Sequence, residues 1–309
     1  MRACGFFTAY ADITGVVSPE QRHPGPGEAL FIGNNSKIFR HGIRCVVLRF
    51  TSCQAQIAES FCKQLASFIG KKLGVSAEFV GDIPWQERER LLDHGQIDVC
   101  WICGLPYIKK NYLKDSVVEL LAAPVMMHSR YAGMPVYYSD VIVHVESSFR
   151  SFEDLRGAVW AYNEPGSHSG YNLVRYHLAA SGIKYKYFGR VVESGSHQDS
   201  LRMLLSRTID ATAIDSTVLE MATAANFSII KGLRTVAVLG PSPAPPWVVH
   251  RSVPPEMQEA LRREFLKMHE DEQGRRILEA AGMSWFVRVS DHDYDAIREM
   301  DNVAATVAW

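Results

Sequence analysis

Asn163-Glu164-Pro165-Gly166-Ser167-His168-Ser169-Gly170-Tyr171 separates an apolar run, Ala158-Val159-Trp160-Ala161, from a stretch with Tyr171, Val174 and Leu178 at helical spacing. Pro165 and Gly166 mark a turn, and Ser167 is a natural N-cap for the helix that follows. A strand, a small-residue turn and a helix start together make an anion site. The first amides of the helix have no internal acceptor, and the positive end of its dipole points the same way. Ser167, His168 and Ser169 add side-chain donors to those amides. Taken alone, the stretch fits an ordinary capped helix as well as a binding loop, so the rest of the chain decides between them.

Composition narrows the field. The 309 residues are 47% hydrophobic and 22% charged, with 33 basic and 34 acidic side chains and a net charge of -1. Such a balance excludes a basic nucleic-acid surface, and no apolar run reaches membrane-spanning length. Residues 1–40, centred on His23-Pro24-Gly25-Pro26-Gly27, read as a poorly organised leader. Met1 to Tyr10 lacks a basic segment followed by a long apolar one, so no secretion signal is expected. The six cysteines, Cys4, Cys45, Cys53, Cys62, Cys100 and Cys103, form no tight disulfide framework. Those two features fit a reducing compartment.

Further along, short apolar strands alternate with helices. Ile43 to Phe50 reads as a strand, and Thr51 and Ser52 as caps for a helix from about Ala55 to Leu73. A strand at Ala77 to Val80, a helix at Trp85 to Asp93 and a buried strand at Ile97 to Ile102 follow. Between Ala122 and Val145 two long extended segments replace the helices, and Thr235 to Val249 is extended again. Between these lie a strand near Ala158, a helix from Tyr171, a strand at Tyr187 to Val192, a helix from Asp199 and a strand at Ala211 to Ile214. Helices are expected at about Pro255 to Glu270, Gly274 to Ala281 and Tyr294 to Met300. This order predicts an α/β protein with two α/β lobes joined by a two-segment hinge. Residues 41–135 plus 240–309 form one lobe, 136–239 form the other, and the ligand sits between them.

Two more strand ends point to the same cleft. Ser194-Gly195-Ser196-His197 repeats the pattern of strand, turn and helix start, carrying His197. Asp215 stands just past the strand Ala211 to Ile214, where an α/β sheet presents ligand-facing groups. Separately these are a loop histidine and a capping aspartate.

Taken in order, Asp98-Val99-Cys100-Trp101-Ile102, Tyr137-Tyr138-Ser139, Ser148 to Gly157, Glu164 to Tyr171, Gly195-Ser196-His197 and Ile209-Asp210-Ala211 resemble the phosphate/phosphite/phosphonate substrate-binding proteins of ABC importers. The resemblance implies a type II periplasmic-binding-protein fold that closes on its ligand by hinge motion. It also implies no enzymatic activity, no cofactor or metal, a monomer, and a permease as partner. It implies a periplasmic location, against the missing signal, which leaves the cytoplasm open. Carried over by position, the oxyanion sits on Ser167, His168 and Ser169, with His197 donating, Asp215 and Tyr137 facing the ligand, and Trp85 as the aromatic of the first lobe. The chain departs from the family pattern at three places. His168 stands where Thr or Ser is usual, Trp85 where Tyr is usual, and Ser242-Pro243-Ala244-Pro245-Pro246 supplies no carboxylate. The ligand is thus expected to be phosphate, phosphite or a phosphonate that keeps an acidic OH or carries an amine.

Two other functions were weighed. A hydrolase would use Ser167, His197 and Asp215 as a triad, but a nucleophile elbow needs Ser at the centre of Gly166-Ser167-His168-Ser169-Gly170, where this chain has His. A stand-alone cytoplasmic sensor would use the same closure without a permease. In Cys100-Trp101-Ile102-Cys103 the first Cys falls inside the strand rather than at a helix start, so the thiols read as core residues, with a soft-metal or arsenite site as the lesser reading. His41, His128, His144, His177 and His250 show no metal-ligand spacing.

Overall fold

The computed structural model describes residues 47–111, 116–226 and 228–309. The expected leader, the first residues of the strand at Ile43, and Cys4, Cys45 and His41 lie outside the described residues.

The elements run in the order β1 (Val47–Ser52), α1 (Glu59–Leu73), β2 (Ser76–Phe79), α2 (Trp85–Asp93), β3 (Val99–Trp101), α3 (Gly104–Asn111) and β4 (Val118–Met126). Next come β5 (Val136–His144), β6 (Val159–Tyr162), α4 (Leu173–Ala180), β7 (Arg190–Glu193), α5 (His197–Leu205), β8 (Ala211–Asp215), α6 (Ser216–Ala225), α7 (Ser228–Lys231) and β9 (Leu233–Pro243). The chain finishes with β10 (Trp247–His250), α8 (Pro255–Lys267), α9 (Glu272–Ala280), β11 (Met283–Val287) and α10 (Asp295–Ala304).

The strands form two mixed sheets, ordered β11-β4-β10-β3-β1-β2 and β7-β6-β8-β5-β9. In each, the strands fed by helical crossovers pair in parallel, β2 and β3 with β1 and β7 and β8 with β6. In the first sheet β10 pairs antiparallel with β3 and β4, and β11 with β4; in the second β5 pairs antiparallel with β8 and β9. The chain passes from the first sheet to the second through residues 127–135 and returns through residues 244–246. The strands that flank these passages, β4, β5, β9 and β10, are the extended segments expected from the sequence, whereas the first passage itself holds a 3-10 turn at Ser129–Tyr131.

Burial explains the strands. Val99, Cys100 and Trp101 of β3 are all inaccessible, which is why that run shows no polar alternation. α1 turns Phe61, Leu65, Phe68 and Ile69 inward and ends at Gly74, whose φ of 65° lies in the left-handed region. The return crossing is pinned from the first sheet. Trp101 stacks on its cross-strand partner Trp247 with centroids 5.6 Å apart and donates from Nε1 to the Pro245 carbonyl at 2.9 Å. Tyr294 donates to the Ala244 carbonyl at 3.1 Å.

Several local expectations are corrected. Thr51 and Ser52 belong to β1 rather than capping a helix; the Thr51 hydroxyl donates to the Val80 carbonyl. A single 3-10 turn with no side-chain cap precedes α1. The expected strand at Tyr187 starts later, at Arg190, because Tyr187 and Phe188 enter an aromatic cluster with Phe152 and Trp160. Helices α3, α6 and α7 and strand β11 were not foreseen. Met300, Val307 and Trp309 pack with the core of the second sheet, whereas β10, α8, α9 and β11 before them pack with the first.

Candidate functional site

After β6 the chain turns through Asn163 to Gly166, and the Ser167 amide donates to the Glu164 carbonyl at 3.2 Å. Ser167 is the N-cap, its Oγ accepting from the Gly170 amide at 3.0 Å. The first turn is wider than an α-helix. His168–Asn172 form a π turn, and the Asn172 amide reaches the Ser167 carbonyl at 3.1 Å before α4 begins. Such turns insert one extra residue and are frequent at functional sites. Here the widening carries Ser169 to the cavity, with its carbonyl held by the Ser139 hydroxyl of β5 at 2.8 Å.

The second helix start is built in the same way. Ser196 is the N-cap of α5 and accepts from the Asp199 amide at 3.0 Å. His197 is the first residue of that helix, and its Nε2 lies 3.3 Å from Ser169 Oγ. Ser169 Oγ in turn stands 3.5 Å from Ser167 Oγ. Burial pushes the His197 pKa down to about 4, so the ring is neutral at pH 7, and its Nδ1 has no hydrogen-bond partner.

Asp215 ends β8 and caps α6, its Oδ1 accepting from the Thr217 amide at 2.8 Å, the Thr217 hydroxyl at 2.7 Å and the Val218 amide at 3.4 Å. All three bonds go to one oxygen, and Oδ2 takes none of them. Burial raises the carboxyl to about 6, and those three donors pull it back only in part. Asp215 thus both caps a helix and lines the cavity.

The cavity holds about 320 Å³. Ser167, Ser169, His197 and Asp215 line one side, and Trp85, the first residue of α2, closes the other. Its two arginines are already engaged. Arg88 pairs with Glu59 at 2.7 Å and donates to the Ser52 and Ile83 carbonyls, and Arg202 is held by Asp199. With both arginines engaged, the donors on the serine side are helix-start amides, hydroxyls and a neutral imidazole.

Five of the seven residues expected from the sequence, Ser167, Ser169, His197, Asp215 and Trp85, meet at this cavity. The structure does not bring His168 and Tyr137 to its wall. His168 is fully buried, with Nε2 3.0 Å from Ser242 Oγ and Nδ1 3.2 Å from Asn172 Nδ2, so both ring nitrogens are occupied. Burial lowers its pKa to about 3. His168 thus links this turn to Ser242 on β9. Tyr137 lies behind it, with ring centroids 6.4 Å apart.

Sequence reasoning passed over Glu164, Asn163 and Cys53, which also line the cavity. Glu164 stood inside the opening stretch but looked like part of its turn. Burial, helped by Glu89 and Glu193, raises it to about 8, and its Oε2 is buried without a partner. Asn163 Oδ1 lies 2.0 Å from where a Cβ on Gly170 would stand, so a side chain there would have to push the Asn163 carboxamide aside. Among the described residues no three His, Cys, Asp or Glu side chains are placed to share a metal ion.

The fold is that of known solute receptors. A binding component of an ABC phosphonate transporter from Pseudomonas aeruginosa matches with a TM-score of 0.74 at 18% identity, over 84% of this chain and 86% of its own. PhnD1 from Prochlorococcus marinus, solved with methylphosphonate, also gives 0.74, at 17% identity over 84% of this chain and 99% of its own. A Xanthomonas citri protein bound to ATP gives 0.63 at 16% identity over 84% and 97%. An ancestral arginine-binding protein gives 0.54 at 20% identity over 77% and 98%, in keeping with a type II periplasmic-binding-protein fold. The sequence itself matches a family of periplasmic substrate-binding proteins rather than enzymes, which leaves the hydrolase reading and the cytoplasmic location without support. The model of the ABC-transporter phosphonate periplasmic substrate-binding proteins matches residues 51–294, and the chain belongs to that family.

Proposed function

We propose that this protein captures a small phosphorus oxyanion between its two sheets and presents it to an ABC importer from the extracytoplasmic side. The observation that carries the reading is the convergence of Ser169 and His197, each in the first turn of a different helix, at 3.3 Å. Free amides, two serine hydroxyls and a neutral imidazole suit a compact anion without needing a dedicated cation. Asp215 opposes them. A carboxylate beside an anion is repulsive unless a proton or cation lies between. The favoured ligand therefore keeps an acidic OH, as phosphate, phosphite and phosphonates do near neutrality, or carries an amine.

The lobes proposed to close on it are residues 136–239 and residues 41–135 with 240–309. Residues 300–309 travel with the former because of where they pack. His168 and Tyr137 act from behind the wall by holding the Ser167 turn, and the receptor works as a monomer. The test is calorimetry with methylphosphonate, phosphate, phosphite, aminoethylphosphonate and sulfate. Binding of at least one phosphorus oxyanion with sulfate excluded supports the proposal; a protein that takes sulfate equally well, or none of the five, overturns it.

A further inference from the structure

The CxxC of β3 drew attention to Cys100 and Cys103, but the close thiol contact lies elsewhere. Cys53 follows β1, and Cys100 is the middle residue of β3, on adjacent parallel strands where Thr51 faces Cys100. The Cys53 amide extends that ladder by donating to the Trp101 carbonyl at 2.9 Å. Their sulfurs lie 3.8 Å apart, in contact.

From this geometry we propose that Cys53 and Cys100 are a disulfide-forming pair, oxidised by a low-molecular-weight disulfide that enters through the ligand cavity. Cys53 is half-buried and lines that cavity, and Cys100 is inaccessible behind it. The reagent therefore meets Cys53 first. The Cys53 thiolate attacks one sulfur of the reagent, forming a mixed disulfide and releasing one thiol. Cys100 then gives up its proton and attacks the Cys53 sulfur, releasing the second thiol. The protein loses two protons and two electrons, and the reagent disulfide takes them up to become two thiols. A disulfide spans about 2.05 Å, so the sulfurs must close by about 1.8 Å.

The other described thiols are poorly placed. Cys62 is fully buried, and burial holds its pKa up at about 12. Cys103 also lines the cavity but has no thiol beside it among the described residues. Burial keeps the Cys100 thiol protonated, which makes the second step the slow one. The bond would fasten the start of the Cys53–Gln56 wall to the sheet beneath it and withdraw the Cys53 sulfur from the Trp85 carbonyl, now 3.8 Å away. Members of this family work in the periplasm, a compartment that favours such bonds.

The full chain is incubated with oxidised glutathione, its remaining thiols are alkylated, and tryptic peptides are mapped by tandem mass spectrometry. Phe50–Lys63 carries Cys53 and Cys62, and Leu91–Lys109 carries Cys100 and Cys103, so fragment ions assign the bond. The expected result is a Cys53–Cys100 link with Cys62 and Cys103 alkylated, and an intact mass lower by about 2 Da before alkylation. The link persists in Cys103→Ser and is lost in Cys53→Ser. Full alkylation of Cys53 and Cys100 in the wild type, or a bond that maps to Cys103, overturns the proposal. Neither outcome depends on which anion the protein binds.

Discussion

Ser169 Oγ and His197 Nε2 stand 3.3 Å apart although 28 residues separate them in sequence. Each residue sits at the start of its own helix, so the contact fixes the angle at which two sets of free amides face one cavity. Removing either partner costs a hydrogen bond to a charged ligand. Ser169→Ala and His197→Ala should each weaken methylphosphonate binding roughly 10- to 100-fold. Titration calorimetry on the purified variants reads this directly, and wild-type affinity in both would remove the pair from the site.

Asp215 offers a cleaner test of selectivity. Asparagine caps a helix as well as aspartate, so Asp215→Asn keeps the start of α6. It removes the charge that opposes a fully deprotonated anion. The variant should admit sulfate, with phosphate binding retained. A variant that holds phosphate and still rejects sulfate would show that selectivity arises elsewhere.

Glu164 predicts a pH dependence with a definite sign. Its folded pKa is raised to about 8 from 4.5, so the folded state favours the protonated acid. That contribution is complete below pH 4.5 and is lost as pH rises through 8. His168 and His197 act oppositely. Their folded values of about 3 and 4 lie below 6.5, and their contribution is lost as pH falls. Comparison with Glu164→Gln isolates the glutamate. From pH 5 to 8 the wild-type melting temperature should fall relative to the variant, and parallel curves would contradict the assignment.

Tyr131 gives a prediction on stability. Its Oη lies 2.8 Å from Glu220 Oε1 and 3.0 Å from Ser216 Oγ, joining the outward crossing to the first turns of α6. Ser216 also accepts from the Tyr138 amide at 3.0 Å. Tyr131→Phe keeps the ring and leaves the buried Ser216 and the partly exposed Glu220 one partner short. It should cost about 1–2 kcal/mol in urea denaturation. A loss within error would mean that water replaces the hydroxyl.

The order of strands and helices was legible because apolar runs and turn residues punctuate it locally. Trp85–Asp93 matches its expected helix, and Ser167 and Ser196 cap the turns their positions suggested. What escaped notice depends on contacts distant in sequence. α6 follows Asp215, which taken alone reads as a capping residue; the ligand-facing reading prevailed only because three such strand ends share one lobe. His168 looked like a ligand donor from its neighbours, and only the arrival of Ser242, 74 residues later, shows where its ring is spent. Glu164 needed the proximity of Glu89 and Glu193 to stand out.

The close packing of Gly170 against Asn163 bears on attempts to re-engineer this receptor as a biosensor. Any side chain at residue 170 must first displace a carboxamide that itself borders the cavity. Libraries seeking a new specificity gain most from diversifying Trp85 and Glu164, which line the cavity without crowding that turn, while residue 170 stays invariant.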